Sequence, residues 1–259
     1  MHPSALENCR LFFESYSDYF RANQSTRVLE IGSQDVNGSL KQLCPQHFQY
    51  IGVDFVPGKN VDVVLDDPYK LPFEDNTFDI ILSSSCFEHS QMFWLLFLEI
   101  SRVLSNEGLF YLNAPSNGMF HRYPVDCWRF YPDSGEALAL WAKREGFNIK
   151  LLESFISQQD GGSSAEYHWS DFVAVFTKYD VNPKSYERGI LSRKQTFFNA
   201  KRDGTSEFLN KTAMTEDFWK LHSIKTIIDT GEGEALGGSA EEKLSLIKQL
   251  INNDLKMIA

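Results

Sequence analysis

The chain has 259 residues, 42% of them hydrophobic and 21 of them Phe. That supports one substantial domain with an appendage and excludes wholesale disorder. A formal net charge of -10 argues against a nucleic-acid partner, because proteins that grip phosphate backbones carry a basic face. Cys9, Cys44, Cys86 and Cys127 form no C-x-x-C pair. Neither a disulfide framework nor a zinc site is expected, and reduced thiols point to a cytoplasmic protein. Residues 1–20 lack the basic start of a signal peptide, and the most apolar run, 92–98, is too short to span a bilayer.

In chain order, Leu6, Cys9, Phe13, Tyr16 and Phe20 fall on one helical face. Ser4 is placed to cap that helix, with Glu7 three residues on. Tyr16 and Tyr19 are the residues of this helix that would close over a neighbouring site, although Tyr16 also lies on the apolar stripe. Short apolar runs follow at 27–31, 50–53, 61–65, 78–82 and 109–112, each closed by turn or helix signals. A strong helix is expected over 92–104, ended by Asn106-Glu107-Gly108. Strands alternating with helices predict a parallel sheet with helices on its faces. The strands are nearly continuous in apolar residues, as both-face burial requires.

A helix is expected over 135–144, ended by Gly146. Strands at 148–156 and 172–177, linked by a loop containing Gly161-Gly162, are close enough to pair antiparallel. Beyond Tyr179 the character changes, with a polar stretch over 184–204 and a helical stripe of Leu244, Ile247, Ile251 and Leu255 within 239–258. The expected division is a main domain over 1–180 and a mostly helical extension over 181–259. The extension packs on that domain or forms a homodimer face.

In an open α/β sheet, ligands bind beyond the carboxyl ends of the strands. Gly32 follows the first strand directly, where a glycine allows a tight turn and close approach, and Gly38 offers a second such point. Asp54 ends the second strand, where a carboxylate can accept both hydroxyls of a ribose. Asp67 lies just past the third, within reach of an exocyclic amine, although an Asp before Pro68 also opens turns. No G-x-G-x-x-G, Tyr-x-x-x-Lys or P-loop pattern is present, which removes nicotinamide reductases and P-loop proteins.

Val28-Leu29-Glu30-Ile31-Gly32 resembles the first motif of class I methyltransferases that use S-adenosylmethionine (SAM), of the broad type found in small-molecule and sugar methylation. Tyr50-Ile51-Gly52-Val53-Asp54 resembles the second motif. Asp67 with Leu71-Pro72-Phe73 and Asp75-Asn76-Thr77-Phe78-Asp79 resembles the third. Cys86-Phe87-Glu88-His89 and Glu99-Ile100-Ser101-Arg102-Val103-Leu104 resemble the exit of the fourth strand and its helix, and 146–178 resembles the final antiparallel pair. The resemblance covers about 27–178. It implies an α/β, doubly wound, Rossmann-like, mostly parallel seven-stranded sheet with an antiparallel last strand. It also implies that Glu30, Gly32, Ser33 and Gly38 hold the methionine end of SAM, with Ser84 lining it. Asp54 and Phe55 would hold the ribose side, and Asp67 with Pro68 the adenine. Gln34 and Val36 stand where the family has its second and third glycines.

The acceptor wall is expected after the fifth strand. Residues 121–131 pack His121, Arg122, Tyr123, Asp126, Trp128, Arg129, Phe130 and Tyr131 into one short segment. Aromatic faces interleaved with Asp and Arg suit a sugar, and an arginine fork suits the diphosphate of a nucleotide sugar. Tyr123-Pro124, Asp126 and Trp128-Arg129-Phe130 also resemble a segment of bacterial methyltransferases, which implies polysaccharide biosynthesis. Asp126 and Arg129, three apart, could equally form a structural ion pair. Three residues compete as general base: His89, His121 and Asp126. Arg122, Tyr123, Trp128, Arg129 and His168 are the expected acceptor contacts. No metal is expected. The reading is SAM-dependent O- or N-methylation of a small polar acceptor, first a sugar or glycan precursor. A lipid-like, quinone-like or natural-product acceptor is the alternative, as is a non-catalytic SAM-binding module.

Overall fold

The computed structural model describes residues 3–20, 25–36, 38–118, 120–157, 170–180, 186, 188–213 and isolated positions between 215 and 248. Two compact units divide the chain, Met1–Asp160 with Ser170–Lys211, and Gly161–Trp169 with Thr212–Ala259. In the second unit, Ser239 and Glu242 form a reciprocal cap. The Ser239 amide donates to Glu242 Oε2 at 2.6 Å and the Glu242 amide to Ser239 Oγ at 3.3 Å. The described positions between 241 and 248 are helical, as the apolar stripe predicts. The expected helical positions from 249 to 258 lie outside the described residues. The first unit carries everything below.

It is built on an eight-stranded sheet of order β3-β2-β1-β4-β5-β7-β6-β8. Strands β1 (Arg27–Ile31), β2 (Gln49–Asp54), β3 (Val63–Val64), β4 (Phe78–Ser84) and β5 (Leu104–Pro115) are parallel. Strand β7 (Asp171–Lys178) lies antiparallel on β5, β6 (Ile149–Ser157) antiparallel on β7, and β8 (Phe197–Arg202) antiparallel on β6. Side chains alternate between the faces at the period of two that strands impose. Leu29, Ile31, Ile81, Phe110 and Leu112 point to one core, under α2 (Phe93–Val103) and α3 (Ser134–Arg144). Val28, Ile80, Leu82, Tyr111 and Val173 point to the other, under α1 (Pro3–Tyr16) and the short turns Leu40–Leu43 and Ile190–Ser192.

Aromatic rings fill the space between layers. Phe97 of α2 sits 5.9 Å from Phe110 and 5.2 Å from Phe176, with Phe110 and Phe176 stacked at 5.8 Å. Such pairs contribute beyond the area they bury. Helix α2 runs straight into β5 at Leu104, and Lys178 Nζ donates to the carbonyls of Ser101 and Leu104 at 2.8 and 2.9 Å. A cation there satisfies oxygens that the helix end leaves open. Gly146 ends α3 with a φ of 91°, as expected.

Three expectations are corrected. The sheet has eight strands, not seven, because Phe197–Arg202 joins the outer edge of β6. Strand β8 lies in the segment Ser170–Lys211 of the first unit. Ser4 lies within α1, and its hydroxyl donates to Asp171 Oδ2 at 2.7 Å instead of capping the helix. The fifth strand starts at Leu104, where the helix pattern still holds, because Leu104 is buried in either conformation. Among the described residues no helix is long and apolar enough to cross a membrane.

Candidate active site

The parallel register brings the carboxyl ends of five strands to one edge. Ile31 is level with Val53 and Ser83, Asp54 with Val64, and Ser84 with Asn113. Gly32 turns there with a φ of 75°, a conformation that a glycine adopts without penalty. A Cβ on Gly32 would lie 2.8 Å from Cys86 Cβ and 2.9 Å from its Sγ. The loops after β1 and β4 are therefore in direct contact.

The loop after β1 is tied to the loop after β2 by hydrogen bonds. The amides of Gly32 and Ser33 donate to the Val53 carbonyl at 3.0 and 3.1 Å. Ser33 Oγ donates to the Asn60 carbonyl at 3.0 Å, and the Gln34 amide to Asp54 Oδ2 at 3.2 Å. Gln34 packs its side chain on Gly58, so the departure from the usual glycine is absorbed by a second glycine opposite. The Gly38 amide donates to Asp35 Oδ1 at 2.8 Å, and Lys59 holds Asp35 Oδ2 at 2.6 Å.

Glu30 lies beneath this loop and is 2% exposed. Its Oε2 accepts from Tyr50 Oη at 2.5 Å and Asn60 Nδ2 at 3.3 Å. Burial pushes the Glu30 carboxyl up to about 7, against the Tyr50 hydrogen bond and nearby Lys41. Asp54 is buried, and besides the Gln34 amide its Oδ1 accepts from the Val56 amide at 3.3 Å. Phe55 beside it is 47% exposed. Asp67 is exposed, and its Oδ1 accepts from the Tyr69 amide at 2.8 Å, the turn-opening role of an Asp before Pro68. Ser83 Oγ and Ser84 Oγ are buried without a hydrogen-bond partner among the described residues.

Residues 120–131 fold back across the turn Phe87–His89. The amides of Cys127 and Trp128 donate to the Glu88 carbonyl at 2.8 and 3.3 Å, and Trp128 Nε1 donates to the Ser90 carbonyl at 2.9 Å. The Trp128 ring packs on Phe93 and Trp94 at 5.4 and 5.9 Å. His89 and His121 stand edge to face, 4.9 Å apart. His89 Nδ1 lies 2.5 Å from the Val125 carbonyl. Burial holds the His89 imidazole down, against that carbonyl, with His121 adding to the effect.

Asp126 is committed elsewhere. Arg129 grips it through Nη1 at 2.6 Å and Nη2 at 2.9 Å, and the His121 amide donates to Oδ2 at 2.7 Å. Burial would raise this carboxyl, but the Arg129 fork and the amide outweigh it and hold it at about 2. These bonds make the Asp126–Arg129 ion pair that the three-residue spacing allows, and they fasten the loop. The side chain of Arg129, its partner, is 22% exposed. Arg122 and Tyr123 are exposed, while His168 lies outside the described residues.

Glu88 belongs to the motif Cys86-Phe87-Glu88-His89, and its sequence context alone gives it no role at the site. It is 1% exposed, and burial pushes its carboxyl up to about 8. An acid beside a histidine is visible in sequence, whereas its burial depends on residues 120–131 folding over it. A small hollow lined by Tyr19, Phe20, Thr26, Asp79, Ser105 and Glu107 lies at the amino ends of the strands, the opposite edge. Tyr16 is buried, with its hydroxyl donating to Glu153 Oε1 at 2.9 Å.

Residues 29–112 match the sequence model of a methyltransferase domain. No curated protein matches the chain in sequence. Among solved structures, a protein of Galdieria sulphuraria described as a sarcosine dimethylglycine methyltransferase is 16% identical, with a TM-score of 0.50 over 68% of this chain and 86% of that one. A Burkholderia thailandensis 1,6-didemethyltoxoflavin-N1-methyltransferase, solved with S-adenosylhomocysteine, is 15% identical, with a TM-score of 0.49 over 68% and 79%. An Archaeoglobus fulgidus SAM-dependent methyltransferase is 19% identical, with a TM-score of 0.45 over 68% and 94%.

Proposed function

Given a chain that carries a methyltransferase domain of the class I SAM-dependent fold, we propose that it methylates a small polar acceptor, a sugar or glycan precursor. SAM supplies a methyl group activated on a sulfonium, and S-adenosylhomocysteine is the product. The residues present fit such a ligand. A carboxylate offers about four acceptor sites, and backbone amides occupy two of them at Asp54, so two remain for a ribose diol. Phe55 offers an exposed ring face beside it, and Asp67 with Pro68 completes the adenine side. The buried hydroxyls of Ser83 and Ser84 suit the polar methionine end. Glu30 acts from below by fixing the loop of Gly32, Ser33 and Gly38.

In this reading the acceptor lies along the exposed face of residues 120–131, beside the turn Phe87–His89. The observation that carries this reading is the run of exposed rings along that loop. Phe120 is 75%, Tyr123 55%, Trp128 37% and Tyr131 57% exposed. Aromatic faces with a polar tip stack on the C–H faces of sugars, and Arg122 supplies an anion contact for a nucleotide sugar. His89 and His121 flank the place where a hydroxyl acceptor would lose its proton as its oxygen takes the methyl group. Asp126 positions His121 and the loop.

The test is release of S-adenosylhomocysteine across a panel of nucleotide sugars, free sugars, phenols and amines. Turnover confined to hydroxyl-rich acceptors is expected. Turnover only with phenols or other apolar acceptors overturns the sugar reading, and SAM binding without product from any acceptor favours a non-catalytic module.

A further inference from the structure

Glu88, His89 and His121 each offer one ligand-type atom, and these atoms all lie within 4.8 Å of one another. The first two leave the carboxyl end of β4, and the third comes from the loop folded over it. The geometry of each side chain has a specific consequence. Contact between His89 Nδ1 and the Val125 carbonyl at 2.5 Å requires an N–H on that nitrogen, so the lone pair is on Nε2. That Nε2 faces Glu88 Oε1 at 3.7 Å. The other oxygen, Oε2, is buried with no hydrogen-bond partner among the described residues, on a side chain only 2% exposed. Two lone-pair holders turned toward each other in a buried site repel unless a proton or a cation lies between them.

The third member is oriented as well. His121 Nδ1 lies 3.4 Å from Asp126 Oδ2, and Arg129 fixes that carboxylate. A carboxylate or carbonyl on one imidazole nitrogen is the arrangement that prepares the ring to bind a metal, and the Val125 carbonyl provides it for His89. An ion bonded at about 2.1 Å spaces its ligands by about 3.0 to 3.5 Å. The Glu88–His89 pair is already near that spacing. His121, with its side chain 36% exposed, is the least buried of the three.

We propose that Glu88, His89 and His121 bind one divalent first-row transition-metal ion. Two imidazoles with one carboxylate suit such ions better than magnesium, which prefers oxygen ligands alone. Three protein ligands leave positions for two adjacent oxygens of an acceptor, which selects a vicinal diol such as a sugar presents. The ion lowers the pKa of a bound hydroxyl. The proton then passes to water, the oxygen takes the methyl carbon, and the carbon–sulfur bond breaks with its electron pair left on sulfur. His89 and His121 thus act by holding the ion. This role rests on the methyltransferase reading, whereas ion binding does not.

The experiment is a titration of chelator-stripped protein with Co²⁺, whose visible absorption reports nitrogen and oxygen coordination. One equivalent is expected to bind and to be displaced by Zn²⁺. His121→Ala and Glu88→Gln should each weaken binding by at least about tenfold, with an unchanged circular dichroism spectrum. A missing Co²⁺ band, or one that both variants leave unaltered, overturns the site. Because absorption needs no acceptor, that failure is distinct from a failure to form S-adenosylhomocysteine. Methylation at full rate by the stripped protein overturns the role of the ion in the reaction.

Discussion

Glu30→Gln tests the buried carboxyl beneath the loop after β1. In the folded chain burial raises this group from an ordinary 4.5 to about 7. Below pH 4.5 both folded and unfolded chains hold the proton, and stability does not depend on it. Between 4.5 and about 7 the unfolded chain releases the proton first, so stability falls as pH rises. Above that range the loss is complete. At about 1.4 kcal/mol for each pH unit, the difference amounts to about 3 kcal/mol. Glutamine keeps an oxygen for the Tyr50 hydroxyl but has no proton to lose. Thermal denaturation followed by circular dichroism, from pH 4.5 to 8 at constant ionic strength, reads the effect as the gap between the two proteins. Other titrating groups cancel in that gap. Glu30→Gln should gain on the natural chain as pH rises, reaching roughly 6 to 12 °C in Tm at pH 8. Parallel profiles, or a gap that closes with rising pH, would refute the argument.

Gly32→Ala forces a side chain into a left-handed conformation and against Cys86. Strain alone costs about 1–2 kcal/mol, so chemical denaturation should show at least that loss, together with weaker SAM binding. Asp54→Ala removes hydrogen bonds to a charged acceptor, each worth roughly 1.5–3 kcal/mol. Calorimetry should then record SAM affinity reduced about 10- to 100-fold, and unchanged affinity would refute the ribose role. Asp126→Asn breaks a pair whose acid side chain is 2% exposed and whose arginine is 22% exposed. A stability loss of roughly 2–3 kcal/mol is expected after allowing for solvent at the arginine, and a neutral result in urea unfolding would show that the clamp is idle. Trp128→Ala should raise KM for the acceptor while leaving SAM affinity within about twofold, a split read by steady-state kinetics and calorimetry side by side.

The central strands were legible because they are buried on both faces. Arg27–Ile31 and Phe78–Ser84 stand out as apolar runs closed by turn residues, and their register follows from parallel pairing. Strand β8 was not legible. Phe197–Arg202 is half exposed and polar at Asn199, Lys201 and Arg202, so its pattern matches a loop until β6 is there to pair with it. The positions of Asp54, at the end of β2, and Gly32, just after β1, were readable from the sequence. The Glu88–His89–His121 group was not, because it needs a long loop to return across a short turn, and local periodicity carries no record of such a return. The three-residue spacing of Asp126 and Arg129 allows an ion pair, but its bidentate geometry is visible only in the fold.

Strand β8 also dictates an order of assembly. The open flank of β6 exposes a row of backbone donors and acceptors, which attracts stray chains when left bare. Its cover is encoded after β7, and Lys201 fastens it to Glu136 of α3 at 2.5 Å. During synthesis the sheet therefore carries a sticky rim until the ribosome has released residue 202. A chain cut after position 180 would keep that rim permanently and should aggregate, even though every strand that faces the candidate active site is already in place.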